Sequence, residues 1–236
     1  MKNLPKLQLI YGNMRALCEA PQMMLKYANV PYTYEMVWDY YGKPWVDIKK
    51  EIIFNRIPIL IINKNDYIWQ SNTIVRYLAK LTNTVPKDPF FSAYADSIFE
   101  STHEMFMPLN PTVNIFTGEK FNKNKEKLLN TILPKTFDNF EKILKKFKGS
   151  FFLSDTPYYC DFNAFHHFSL VDFLDKGILN NYPLIINFIN SFKKLNGIEE
   201  YLFNRPKLID IGVDPKFIVN GKKYPTGVNP NKNQII

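Results

Sequence analysis

With 46% apolar and 16% aromatic residues in 236, the chain can bury a substantial core, and a charged fraction of only 22% excludes a largely disordered polymer. The net charge of +8 attracts anions at long range, but the densest basic runs, EKFNKNKEK and KILKKFKG, alternate with apolar residues as on a solvated helix face, and no nucleic-acid signature accompanies them. Two cysteines far apart, Cys18 and Cys160, without a CxxC pattern, argue against a disulfide framework and a thiolate metal site.

The chain opens on MKNLPKLQLIY, whose apolar run is too short for a signal peptide, and no later run approaches the roughly 20 apolar residues of a membrane span. The expectation is a cytoplasmic protein. Leu7 to Tyr11 reads as a short apolar strand, and Cys18 to Ala28 as an amphipathic helix stopping at Asn29. Tyr32 to Val37 alternates as a second strand, and WDYYGKPWVDIKKEI is irregular to helical. Pro58 to Ile62 and Asp66 to Trp69 follow as strands, and Ser71 to Leu81 as a helix with Ser71 suited to its N-cap. Thr82 to Asp88, broken by Pro86, reads as a linker. Helical patterns then occupy 90–106, 123–147, 160–174, 183–193 and 197–204, and Lys207 to Ile236 reads as a loop-like extension. The order predicts α/β plus all-α: a thioredoxin-like N-terminal domain over 1–81, a linker over 82–88, an all-helical domain over 89–206 and an extension over 207–236.

Several residues in this frame carry chemistry. Tyr11 ends the first strand, where sheets of this kind hold ligands. An X-Pro bond such as Ile57-Pro58 can be cis at modest cost, which would turn the Ile57 N–H and C=O outward to pair with an extended peptide. Gln70 and Ser71 open a helix whose free N–H groups suit an anion. Trp45 and Lys49, four apart, share one side of a helical turn. Cys18 near a helix start is a rival nucleophile, although a small buried side chain is the commoner role for it. The adjacent His166 and His167 point about 100° apart on a helix and lack an i+4 partner, which favours packing over metal binding.

Five pieces, YGNMRALCEA, NRIPIL, WQSNTIVRYLAK, YYCDFNAF and EYLFNRP, resemble in order and interval the cytosolic glutathione transferases, most closely their sigma and mu classes. The resemblance implies a homodimer that binds glutathione as co-substrate and joins its thiolate to apolar electrophiles, with no metal. It implies Tyr11 as the hydroxyl donor to the sulfur and Arg15 as a nearby positive charge. Trp45, Lys49, Arg56, Ile57, Pro58, Gln70 and Ser71 would bind glutathione, and Glu104 would reach the neighbouring subunit's. An electrophile cleft lined by Met105 and Met107 is expected. The chain departs from the pattern at Gly12, where the family carries an aromatic residue, at Ala16, where it carries glycine, and at Tyr158, where a capping Ser or Thr is expected. The alternatives are a non-catalytic binding or dimerising module and a Cys18 thiol transferase.

Overall fold

A computed structural model describes residues 4–228, so the expected outer boundaries at 1 and 236 lie outside the described residues. Strand β1 (Leu7–Tyr11), helix α1 (Glu19–Tyr27) and strand β2 (Tyr32–Met36) form a parallel βαβ unit. Helices α2 (Val37–Tyr41) and α3 (Trp45–Ile48) and a 3-10 turn at Ile53–Asn55 lead to β3 (Ile59–Ile62) and β4 (Asp66–Trp69). Both of these strands add antiparallel, giving the order β2-β1-β3-β4. Period-two alternation sorts the side chains between two cores. Leu7, Leu9, Tyr11, Leu60 and Ile62 face α1 and the main core, while Ile10, Ile59 and Ile61 face a smaller cluster with Val37, Ile48 and Ile52. The sheet is therefore buried on both faces, and Tyr11 shares the inner face with Leu7 and Leu9.

Helix α4 (Ser71–Leu81) returns against α1. Then come α5 (Pro89–Asn114), α6 (Gly118–Lys127), a π-helical turn at Leu128–Ile132, α7 (Leu133–Phe147), α8 (Tyr159–Val171), α9 (Pro183–Lys193) and α10 (Ile198–Asn204). The architecture is a thioredoxin-like sheet unit followed by an all-helical unit, as the sequence predicts. Asp88 caps α5 by accepting from the Phe90 and Phe91 N–H groups at 2.9 and 3.0 Å. That helix runs eight residues beyond the expected end at 106 and carries Pro108 and Pro111 inside it. Helix α8 is buried nearly all round and is the axis of the helical unit. At its start the Asp161 carboxylate accepts the Tyr158 N–H at 2.7 Å and the Phe152 N–H at 3.0 Å. Asp161 thereby anchors the preceding loop as well as the helix start, with no hydroxyl needed at 158.

The extension departs most from expectation, because its described part, 207–228, holds a three-stranded antiparallel sheet, β5 (Lys207–Ile209), β6 (Lys216–Val219) and β7 (Lys222–Pro225). The signal was Asn220-Gly221, whose φ angles of 50° and 77° suit the two-residue turn joining β6 to β7. The sheet docks in two places. Thr117 bridges Gly212, and Asn13, in the loop after β1, bridges Gly227. Among the described residues no helix is long and apolar enough to cross a membrane.

Candidate active site

Strand register brings the expected residues together. Ile10 pairs with Ile59, and Ile59 with Trp69, so Tyr11, Ile57-Pro58 and Gln70-Ser71 meet at one end of the sheet. The Ile57-Pro58 peptide is cis. Ile57 is half-buried and packs into both cores, and Arg56 before it is exposed. Trp45 packs in the smaller core beside Ile57 and Trp69, while Lys49 is exposed one turn further along.

Gln70 adopts φ 70° and ψ 120°, a costly conformation for a residue with a Cβ, and the cost marks a constrained position. It is Gln70, not Ser71, that precedes α4; Ser71 is the first helical residue and no side chain caps the helix. The Ser71 hydroxyl reaches only Asn72 Oδ1, at 3.5 Å. The start of α4 thus presents backbone N–H groups without a side-chain acceptor, in a positive local field.

The Tyr11 hydroxyl lies inside the protein, 3.3 Å from the Leu17 N–H, which donates to it. Burial is the largest influence on this phenol; together with the neighbouring Cys18 it outweighs the Leu17 N–H and holds the pKa far above the usual tyrosine range. The hydroxyl therefore stays protonated, and with its oxygen already accepting, its own hydrogen is the group left to give. Cys18 is buried, and burial followed by the neighbouring Glu19 pushes its thiol well up. That environment opposes thiolate formation and the Cys18 thiol-transferase alternative.

The Arg15 side chain reaches toward the C-terminal segment. Its guanidinium donates to the Pro206 carbonyl and lies 5.9 and 5.8 Å from the Phe173 and Phe217 ring centroids. It ties the loop after β1 to the C-terminal sheet. Glu104 is exposed in a groove between α5 and α7 with Lys135, away from the sheet end. Met105 is buried and lines that same groove, and Met107 is 58% exposed, so the expected cleft is not formed by this pair.

Two family models match, one described as glutathione S-transferase, N-terminal domain, over residues 7–80, the other as glutathione S-transferase, C-terminal domain, over 103–205. The glutathione S-transferase of Plasmodium yoelii yoelii is 30% identical over 200 residues, 83% of this chain and 92% of that protein. The chain belongs to the glutathione transferase family. It is also similar to the hematopoietic prostaglandin D synthase of Mus musculus, 26% identical over 206 residues that cover 86% of this chain and 98% of that one. A solved structure of an Onchocerca volvulus Pi-class glutathione S-transferase shares the fold, with a TM-score of 0.74 at 22% identity over 85% of this chain and 93% of that one.

Sequence reasoning missed the acidic group that faces α4 in this transferase chain. Arg76 pairs with Asp96 at 2.8 Å and with Glu100, and Asn72 Nδ2 lies 3.4 Å from Glu100. The spacing Asp96, Glu100 places both carboxylates on one face of α5. Their partner sits on another element, so the spacing alone could not reveal the pairing. The other missed feature is the contact between the loop after β1 and the chain's end. Asn13 exchanges two backbone hydrogen bonds with Gly227, of 2.9 and 3.0 Å, and its side chain donates to the Pro225 carbonyl at 2.9 Å.

Proposed function

We propose that this protein binds glutathione across the end of its four-stranded sheet and conjugates the thiolate to apolar electrophiles. The observation that carries this reading is the meeting, at one end of the sheet, of a buried neutral phenol with a free hydrogen, the Ile57-Pro58 segment and the uncapped start of α4. The Tyr11 hydroxyl donates to the glutathione sulfur and favours thiolate over thiol, lowering the cost of the nucleophile. Ile57 pairs with the peptide backbone. Gln70 and Ser71 receive the γ-glutamyl carboxylate, and Trp45, Lys49 and Arg56 surround the glycyl end. Arg15 positions the loop from behind. The electrophile approaches over the loop after β1, where Gly227 and Val228 cover Gly12.

The protein is best placed among the sigma- and mu-like members, in the cytoplasm, with division near 81 and 89 into a sheet domain and a helical domain. It works as a homodimer. Ile53 and Phe54 stand 53% and 58% exposed, Phe54 at a φ of 67°, and the groove lined by Ile98, Met105, Phe140 and Ile143 offers an apolar seat for such a side chain from a second copy. Glu104 lies in the same groove and so faces the partner.

The test is titration calorimetry with glutathione together with conjugation to a generic aromatic electrophile. Tyr11→Phe should keep glutathione affinity and lose about 10²-fold in kcat. Equal rates would remove Tyr11 from the chemistry, and no glutathione heat at millimolar concentration would favour the non-catalytic module.

A further inference from the structure

The first turn of α5 meets the last turn of α7 and leaves four aromatic rings clustered at the surface. Phe90 is 64% and Phe91 38% exposed, with Tyr94 and Phe147 half-buried beside them. Ring centroids are 5.6 Å apart for Phe90 and Phe91, 6.0 Å for Phe91 and Phe147, and 5.2 Å for Tyr94 and Phe147, each pair edge to face. Of the four, only Tyr94 also lines the groove proposed to seat a second copy. The patch is remote from the transferase site as well. At 1.5 Å per residue it lies roughly 35 Å along α5 from Asn114, which abuts the loop after β1.

Positive charge surrounds these rings. Lys146 Nζ lies 5.2 Å from the centroids of both Tyr94 and Phe147. Lys142, four residues earlier, shares its face of α7, Lys148 follows at the helix end, and Lys87 precedes the cap of α5; all four lysines are exposed. Among the described residues none of them is in an ion pair. The neighbouring acids are already engaged. Asp88 accepts the Phe90 and Phe91 N–H groups, Glu141 the Ile185 N–H at 2.9 Å, and Asp155 the Ser150 N–H at 2.9 Å. The run KILKKFKG, expected to be a solvated helix face, thus sets its lysines around an aromatic cluster that α5 completes.

Exposed apolar rings within a collar of unpaired lysines match a surface that is hydrocarbon below and anionic above. Single-stranded nucleic acid would stack its bases on open ring faces. Here Lys146 lies over Tyr94 and Phe147, and the rings close on one another edge to face, which favours lipid.

We propose that this end of the helical unit docks peripherally on an anionic lipid surface, with Phe90 and Phe91 entering the headgroup boundary and Lys87, Lys142, Lys146 and Lys148 meeting the anionic headgroups. The docking does not depend on the transferase reading.

The probe is the whole chain sedimented with vesicles of phosphatidylcholine, alone or with about one quarter phosphatidylserine. The expected result is partitioning about tenfold or more stronger onto the anionic vesicles, lost at high salt. Phe90→Ser with Phe91→Ser should weaken it by about tenfold or more, and Lys142→Gln with Lys146→Gln by about fivefold per lysine. Both variants change exposed positions and should keep the parent's melting temperature, gel-filtration volume and glutathione conjugation; Phe90→Ser alone serves if the pair fails to fold. Equal partitioning onto the two vesicles, or full partitioning by either folded variant, would overturn the proposal. A phenylalanine variant that leaves the vesicles and also elutes later on gel filtration would overturn it by making the patch a contact between copies. Binding of a single-stranded oligonucleotide that the phenylalanine variant loses, with no partitioning onto either vesicle, would overturn it in favour of nucleic acid.

Discussion

A Cβ built on Gly12 would lie 2.7 Å from Val228 Cγ1 and 2.9 Å from the Gly227 carbonyl oxygen, both closer than real Cβ contacts allow. The missing side chain that sets this chain apart from its family's pattern is thus the space into which its own C-terminal segment fits. Gly12→Val is expected to detach residues 226–228 from the loop while the rest of the fold persists. Hydrogen exchange at the Gly227 amide, which bonds to Asn13 O, would rise to the rate of an open segment, and unchanged protection would refute the packing account. Glu19 makes a second residue-scale case. It is the shared acceptor for Tyr201 and Arg205, and its side chain and that of Arg205 are only 8% and 15% exposed. Glu19→Gln leaves Arg15 and Arg205 facing each other without a counter-charge. The expected loss is about 3–5 kcal/mol of unfolding free energy by urea denaturation, and a loss below about 1 kcal/mol would show that solvent compensates the pair. Tyr11 gives a spectroscopic expectation: because burial keeps the phenol protonated, its tyrosinate absorbance should not develop on titration from pH 7 to 10, whereas exposed tyrosines begin to ionise.

At the scale of elements, the strands, α1 and α4 were legible because each carries its own pattern. Leu7, Leu9 and Tyr11 alternate with Ile10, and the apolar residues Ile74, Val75, Leu78 and Ala79 fall on one helical face. The expected end of α5 at 106 falls just ahead of Pro108 and Pro111, each of which removes a helical N–H. In place, its later turns are held from outside. Asn114 donates to the Arg15 carbonyl at 3.3 Å, and Thr226 Oγ1 donates to the Asn114 carbonyl. Burial of Leu109 and Val113 supplies the packing that outweighs the lost N–H groups. The C-terminal sheet was missed for the converse reason. Its strands are three or four residues long, too short for periodicity to register, and they hold because Leu208 and Phe217 are buried against the body. Truncation after Pro206 should therefore expose Arg15 and its ring partner Phe173. The truncated chain is expected to unfold at lower urea, and coincidence with the full chain would mean that the sheet is only an ornament on the fold.

For the whole molecule the response to pH follows from two buried histidines. His166 and His167 are each 1% exposed; burial is the main reason that both are held neutral, reinforced for His166 by Arg205 and Arg15, and for His167 by His166 and His103. Neither ring nitrogen of His166 has a hydrogen-bond partner among the described residues, and His167 stacks on Phe106 at 4.4 Å. Unfolded histidine takes up a proton below about pH 6.5 and the folded pair does not, so the unfolded state binds more protons as pH falls. Stability should drop below pH 6.5, with a slope approaching about 1.4 kcal/mol per pH unit per histidine. Asp161 works in the opposite sense: burial raises its carboxyl to about 7, so its contribution grows as pH falls from 7 toward 4. Urea midpoints at pH 7.5 and 5.5 for the protein and for His166→Phe with His167→Phe would separate these, and an equal acid loss in the variant would clear the histidines of responsibility. By itself the sequence determined the strands β1 to β4 and the helices α1 and α4, the cis-prone Ile57-Pro58 and the tyrosine at the end of β1, because these depend on neighbours a few residues away. Only the tertiary structure decided where Arg15 points and why residue 12 is glycine. Their partners, Pro206 and Gly227, lie roughly 200 residues along the chain, and contacts at that range are set by packing of the whole core, which no local pattern records.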